Sequence, residues 1–118
     1  MDEYINEQLT TTLKAIGDPT RRSLLTKLVQ QGPMRVTQLA THYEMSLNSI
    51  SKHIKVLESA DLISRKTLGR VHIIEATPNS MQCIDNWLHS FRSIWEMRLD
   101  TLAEIMENKK ENDNESGK

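Results

Sequence analysis

Residues 36–63 read VTQLATHYEMSLNSISKHIKVLESADLI, and this stretch decides the fold. Thr37 to Tyr43 carries Leu39, Ala40 and Tyr43 as a brief helix would. After a tight turn, Ser46 is a good N-cap for a second helix running from Leu47 to Ala60. In that helix Ile50, Ile54 and Leu57 recur at i, i+4 and i+7 and so share one side. The other side is polar and cationic, with Asn48, Ser51, Lys52 and Lys55 at the same spacing and Ser49 beside them.

Working outward, residues 62–67 and 71–76 are two β-rich runs around Leu68-Gly69-Arg70, a hairpin with glycine in its turn. Arg65, Lys66 and Arg70 make this hairpin basic. Before the helix pair, Ile5, Leu9, Leu13 and Ile16 mark an amphipathic helix over about 3–16 that Gly17 ends. Asp18 and Pro19 then suit the N-cap and first position of another helix, whose stripe is Leu24, Leu25, Leu28 and Val29 and whose stop is Gly32-Pro33.

From Pro78 to about Asn108 a long helix is expected, with Thr77 as its cap. Met81, Ile84, Leu88, Phe91 and Trp95 alternate spacings of three and four, and the row resumes at Leu102 and Ile105 after an interruption at Arg98. Trp87, Ile94 and Leu99 widen it, and tryptophan at helical spacing is read as packing. So long an apolar row exceeds what a small core can cover, which predicts a homodimer held by Ile84, Leu88, Phe91, Trp95 and Leu102, with Ile5 and Leu9 of the first helix assisting. Residues 1–108 thus form the expected domain, and the polar stretch 109–118 is expected to be disordered.

A short helix, a turn and a second helix with one apolar and one polar face are the layout of a helix-turn-helix reader, and the hairpin behind it is a wing. The expected fold is mostly α with a small β-hairpin wing, in the order α-α-α-α-β-β-α, and dimeric. A charged helix face alone is usually just solvated. The conjunction of helix pair, serine cap, polar face and adjacent basic hairpin points instead to double-stranded DNA, through Ser46, Asn48, Ser49, Ser51, Lys52, Lys55, Arg65, Lys66 and Arg70. The alternative is a winged-helix module for protein assembly without DNA binding, and the retained polar face argues against it.

The chain has 118 residues, 37% of them hydrophobic, which allows one modest core. Its net charge of −1 does not advertise a nucleic-acid partner, but residues 46–72 hold Lys52, Lys55, Arg65, Lys66 and Arg70 against Glu58 and Asp61. No run is apolar enough to insert in a membrane, and the acidic start MDEYINEQ is unlike a secretory signal, so a cytoplasmic location is expected. The single cysteine, Cys83, excludes an internal disulfide and is expected to be a buried apolar residue. His42, His53, His72 and His89 lack hydrolytic spacing and no phosphate loop occurs, so no enzyme and no cofactor are expected. His53, beside the apolar row, is read as a hydrogen-bonded interior histidine rather than a base contact.

DPTRRSLLTKL (18–28), residues 36–63 and GRVHIIEATP (69–78) together resemble the ArsR family of bacterial winged-helix repressors, over about residues 8–78. SISKHIKVLESADLI is the most specific part, similar to that family's serine-x-histidine-leucine recognition helix. WLHSFRSIWEMRLDTLAEIME (87–107) looks like the metal-free, SdpR-like subgroup with its long closing helix. The resemblance implies a repressor whose inducer or sequestering partner the sequence does not name. The family's thiolate site lies on the helix before the turn, where VTQLATHYE has no cysteine, and its site on the last helix is matched only by Asp85 and His89, so no metal is expected. Two departures stand out. Glu44 occupies a position where such turns commonly carry a left-handed glycine, which implies strain or a shifted turn, and Arg98 breaks the apolar row and is expected to pair with Glu96 or with Asp85 of a second copy.

Overall fold

The computed structural model describes residues 2–77 and 81–116, and the side chains of all of these except residues 2, 5 and 111–116. Two compact units, Met1–Ile84 and Asp85–Lys118, divide the chain.

In the first unit the chain runs α1 (Asp2–Ile16), α2 (Pro19–Gln31), β1 (Met34–Arg35), α3 (Val36–Ala40), α4 (Leu47–Ser59), β2 (Ile63–Leu68) and β3 (Val71–Ala76). The last helix, α5, spans Gln82–Ser116. Its expected start at Pro78 lies outside the described residues. The expected helices and hairpin are all present, and β1 is an addition. These two residues pair antiparallel with β3, Met34 against Ile74 and Arg35 against Ile73, which makes a three-stranded sheet of order β1-β3-β2.

Leu24 and Leu28 of α2, Leu39 of α3, Ile50, Ile54 and Leu57 of α4, Leu62 and Ile74 close into one core at 0–2% exposure. Area removed from water on this scale is the main stabilising contribution to so small a unit, about 1.5–3 kcal/mol for each large side chain. Val29, expected in the α2 stripe, is exposed, because α2 turns Leu24 and Leu28 into the core with Leu25 partly buried against it. On α1 the inward positions are Thr12 and Ala15, while Leu13 faces outward. Thr12 tolerates burial because its hydroxyl donates to the Gln8 carbonyl (2.8 Å). Cys83 is half-buried rather than buried, and its thiol donates to Thr12 Oγ1 at 3.7 Å.

Helix ends are tied down locally. Asp18 caps α2 by accepting from the Arg21 N–H (3.0 Å), with Pro19 in the first position. The end of α4 is a Schellman motif built on aspartate. Asp61 takes φ 58°, its N–H donates to Glu58 O (3.0 Å) and that of Leu62 donates to Leu57 O (3.0 Å). The side chains of Leu57 and Leu62, both fully buried, supply the apolar contact such motifs carry. The wing turn is two residues long, since Leu68 pairs with Val71. Gly69 has φ +64° and Arg70 does not go positive, which fits a type II′ turn with glycine first.

Glu44 is not left-handed; α3 ends at Ala40 and the connection extends over residues 41–46, so the longer loop removes the need for a positive φ there. In the second unit the helix continues to Ser116, so the stretch expected to be disordered from 109 is helical that far. Its Lys, Glu and Asn residues include no proline, and the first glycine after the apolar row is Gly117. The described part of this helix exposes Trp87, Leu88, Phe91, Ile94, Trp95, Leu99, Leu102 and Ile105, with the Trp87 and Phe91 rings stacked at 5.9 Å. No described helix is long and apolar enough to cross a membrane.

Candidate nucleic-acid interface

Helix α4 begins where Ser46 Oγ accepts the Ser49 N–H (3.1 Å) and donates to Ser49 Oγ (2.9 Å). The Ser46 hydroxyl is therefore engaged in the cap. With Ile50, Ile54 and Leu57 buried, Asn48, Lys52 and Lys55 are exposed and Ser49 and Ser51 half-exposed. The helix thus presents short polar groups near its capped start and lysines farther along, the distribution that suits base edges and phosphates respectively.

The wing follows directly. Lys66 and Arg70 are exposed, whereas Arg65 is half-buried and donates to Glu58 Oε1 through both Nε (3.1 Å) and Nη2 (2.6 Å). Of the three basic wing residues, Lys66 and Arg70 remain exposed cations, and Arg65 ties β2 to α4. Across the hairpin, Thr67 Oγ1 and His72 Nδ1 are 3.3 Å apart.

Sequence reasoning missed the role of Arg21. Its guanidinium donates to the α1 carbonyls of Ala15 (Nε, 2.6 Å) and Lys14 (Nη2, 3.1 Å), and Nη1 lies 3.3 Å from His53 Nδ1 on α4. Arg22 adds a bond to Ile16 O (2.7 Å). The signal was present in Gly17-Asp18-Pro19, because a helix stopped and restarted so abruptly leaves carbonyls that need donors. Asp18 Oδ2 is 3.9 Å from His53 Nδ1. The Asp18 carboxyl is held below its ordinary value, first by the Arg21 backbone N–H; burial, the next largest influence, opposes this, and the nearby Arg21 charge adds to the lowering. Tyr43 OH and Ser23 Oγ, 2.8 Å apart, join the turn before α4 to α2.

Of the residues expected in a dimer contact, Leu88, Phe91, Trp95 and Leu102 are exposed and Leu9 is half-buried. Ile84 is buried within its own chain. The side chain of Ile5 lies outside the described residues. Among the described residues no group of three or more His, Cys, Asp or Glu side chains converges as metal ligands would.

Residues 16–65 match the sequence profile of a helix-turn-helix domain. The transcriptional repressor SdpR of Bacillus subtilis is 34% identical over 83 residues, which cover 70% of this chain and 91% of that protein. The crystal structure of an ArsR family transcriptional regulator is 35% identical, with a TM-score of 0.73 over 77% of this chain and 93% of the other. The homodimeric winged helix-turn-helix DNA-binding domain of a possible ArsR-family regulator from Mycobacterium bovis shares the fold, with a TM-score of 0.63, 19% identity, and 79% of this chain and 87% of the other covered. This chain belongs to the ArsR family of winged helix-turn-helix, DNA-binding transcriptional regulators.

Proposed function

We propose that the protein represses transcription as a homodimer that sets two copies of α4 in successive major grooves of a pseudo-palindromic operator and blocks access to the promoter. Working on the chromosome, it acts in the cytoplasm. The observation that carries the reading is the two-sided build of α4. One side is fixed in the core by Ile50, Ile54 and Leu57, and the other offers Asn48, Lys52 and Lys55 to solvent beside an exposed basic turn. Asn48, Ser49 and Ser51 read base edges; Lys52, Lys55, Lys66 and Arg70 neutralise phosphates. Repression is supported by the similar B. subtilis protein, which is a repressor. A two-fold assembly is supported by the homodimeric M. bovis domain and by the exposed apolar row of α5.

The test is a salt titration on an operator, selected from a random duplex pool by the wild-type protein, and on a scrambled duplex. Asn48→Ala should reduce operator preference by about 1–3 kcal/mol and leave nonspecific affinity nearly unchanged. Arg70→Ala should weaken both and flatten the slope of log affinity against log salt by about two units for a dimer. Unchanged operator preference in both Asn48→Ala and Ser51→Ala would show that another element reads the DNA.

A further inference from the structure

We propose that Arg21 and His53 form a clamp that sets the rotation of α4, which makes both of them positioning residues for operator recognition. The inference rests on the assignment of α4 as the reader.

A single guanidinium joins three elements. Arg21 belongs to the first turn of α2, where its backbone is fixed by Asp18, and its side chain holds two carbonyls at the end of α1 and the ring of His53 in the middle of α4. Guanidinium has donors only, so His53 Nδ1 is the acceptor in this contact. The planar fork cannot serve Ala15, Lys14 and His53 together unless the three elements keep their mutual angles. Packing of Ile50, Ile54 and Leu57 holds α4 against the core, and the hydrogen bond on its flank adds a directional restraint on its rotation.

The consequence at the DNA follows from the lever arm. Side-chain tips stand about 5–6 Å from a helix axis, so a rotation of about 10° displaces Asn48 and Ser51 by roughly 1 Å. That is enough to spoil a base-edge hydrogen bond, whose useful range spans about half an ångström. Phosphate contacts from long lysine side chains absorb the same shift. Loss of the clamp should therefore cost preference for the operator while sparing nonspecific affinity.

The experiment measures affinity for the selected operator and for a scrambled duplex by fluorescence anisotropy, with circular dichroism melts to report folding. His53→Leu and Arg21→Met should each lower the operator-to-scrambled affinity ratio about tenfold, the scale of one charge-assisted hydrogen bond, with scrambled affinity within about twofold. The double variant should be no worse than Arg21→Met, since His53→Leu removes only a contact that Arg21→Met already removes along with those to Ala15 and Lys14. His53→Gln, whose amide oxygen can accept from Arg21, should recover most of the ratio. Should Arg21→Met fail to fold, Arg21→Lys replaces it, keeping a cation for the α1 carbonyls without the fork. A lowered melting temperature with an unchanged ratio overturns the clamp. So does loss in His53→Leu alone, which means direct base contact, and so does an additive double variant or a His53→Gln no better than His53→Leu. Asn48→Ala run in parallel separates the two failures. If it loses preference while His53→Leu keeps it, the clamp alone falls; if it keeps preference, the reader assignment falls and takes the clamp with it.

Discussion

Arg65 holds Glu58 through two donors on one carboxylate oxygen, Nε at 3.1 Å and Nη2 at 2.6 Å, and so ties β2 of the wing to the last turn of α4. The two side chains are about equally shielded, at 25% and 28% exposure. A positive charge so occupied is poorly placed to release counterions from DNA.

Arg65→Ala should accordingly lower stability by about 0.2–1 kcal/mol, as for a partly exposed ion pair, and leave the salt slope of DNA binding nearly unchanged. Arg70→Ala, measured beside it, flattens the slope. Equal flattening by the two variants would return Arg65 to the DNA-contacting residues that the sequence suggested.

Ser46 separates helix capping from DNA contact. Ser46→Ala removes the acceptor for the Ser49 N–H and should cost about 1 kcal/mol of stability. Ser46→Asp preserves the cap and places a favourable charge at the helix start, so its stability should match the wild type. The same carboxylate would face phosphates, and its DNA affinity should fall. Denaturant midpoints and binding isotherms of the two variants check this; Ser46→Asp with undiminished affinity would move the helix start away from the DNA backbone.

What the sequence disclosed and what it concealed divide along physical lines. Helix α4 was legible because Ile50, Ile54 and Leu57 repeat its period and Ser46 marks its start, both local signals. Met34 and Arg35 were not legible as a strand, since two residues carry no period and their pairing with Ile73 and Ile74 is distant in sequence. Arg65 read as one more cation because nothing in the sequence reveals that the hairpin folds it back onto Glu58. Arg21 was harder to read for a different reason: Gly17-Asp18-Pro19 announces carbonyls in need of donors, but nothing local says which side chain reaches them. The polar stretch after Asn108 was judged by composition, whereas helix continuation depends on the absence of a breaker before Gly117.

Asp18 should give stability a recognisable pH dependence. Its folded-state value is lowered, chiefly by the Arg21 N–H, so its ionised form adds stability that is complete above the unfolded-state value and disappears as pH falls through the folded one. Asp18→Asn keeps a capping oxygen but no charge. It should be less stable than the wild type at neutral pH, and the two should converge in acid below the usual carboxylate range. Urea midpoints across that range decide it, and a gap independent of pH would assign the difference to cap geometry instead of charge.

The last prediction concerns α5. Leu88, Phe91, Trp95 and Leu102 are 40–57% exposed along one row, and spacings of three, four and seven keep them on a heptad-like seam. Each of these half-exposed side chains still forgoes roughly half of the 1.5–3 kcal/mol that full burial provides, so a second copy of the chain is the economical cover for the row. Arg98 falls within the seam, where a polar side chain restricts register and partner number at some expense in stability. Replacing Leu88 and Trp95 together by glutamate should therefore yield a monomer by light scattering at micromolar concentration. The first unit keeps its own core, so its melting should survive the change. DNA binding should weaken steeply, because two half-sites joined in one dimer are held far more tightly than two separate chains. A dimer that persists in this variant would mean that α5 is not the seam, and would turn attention to the first helix.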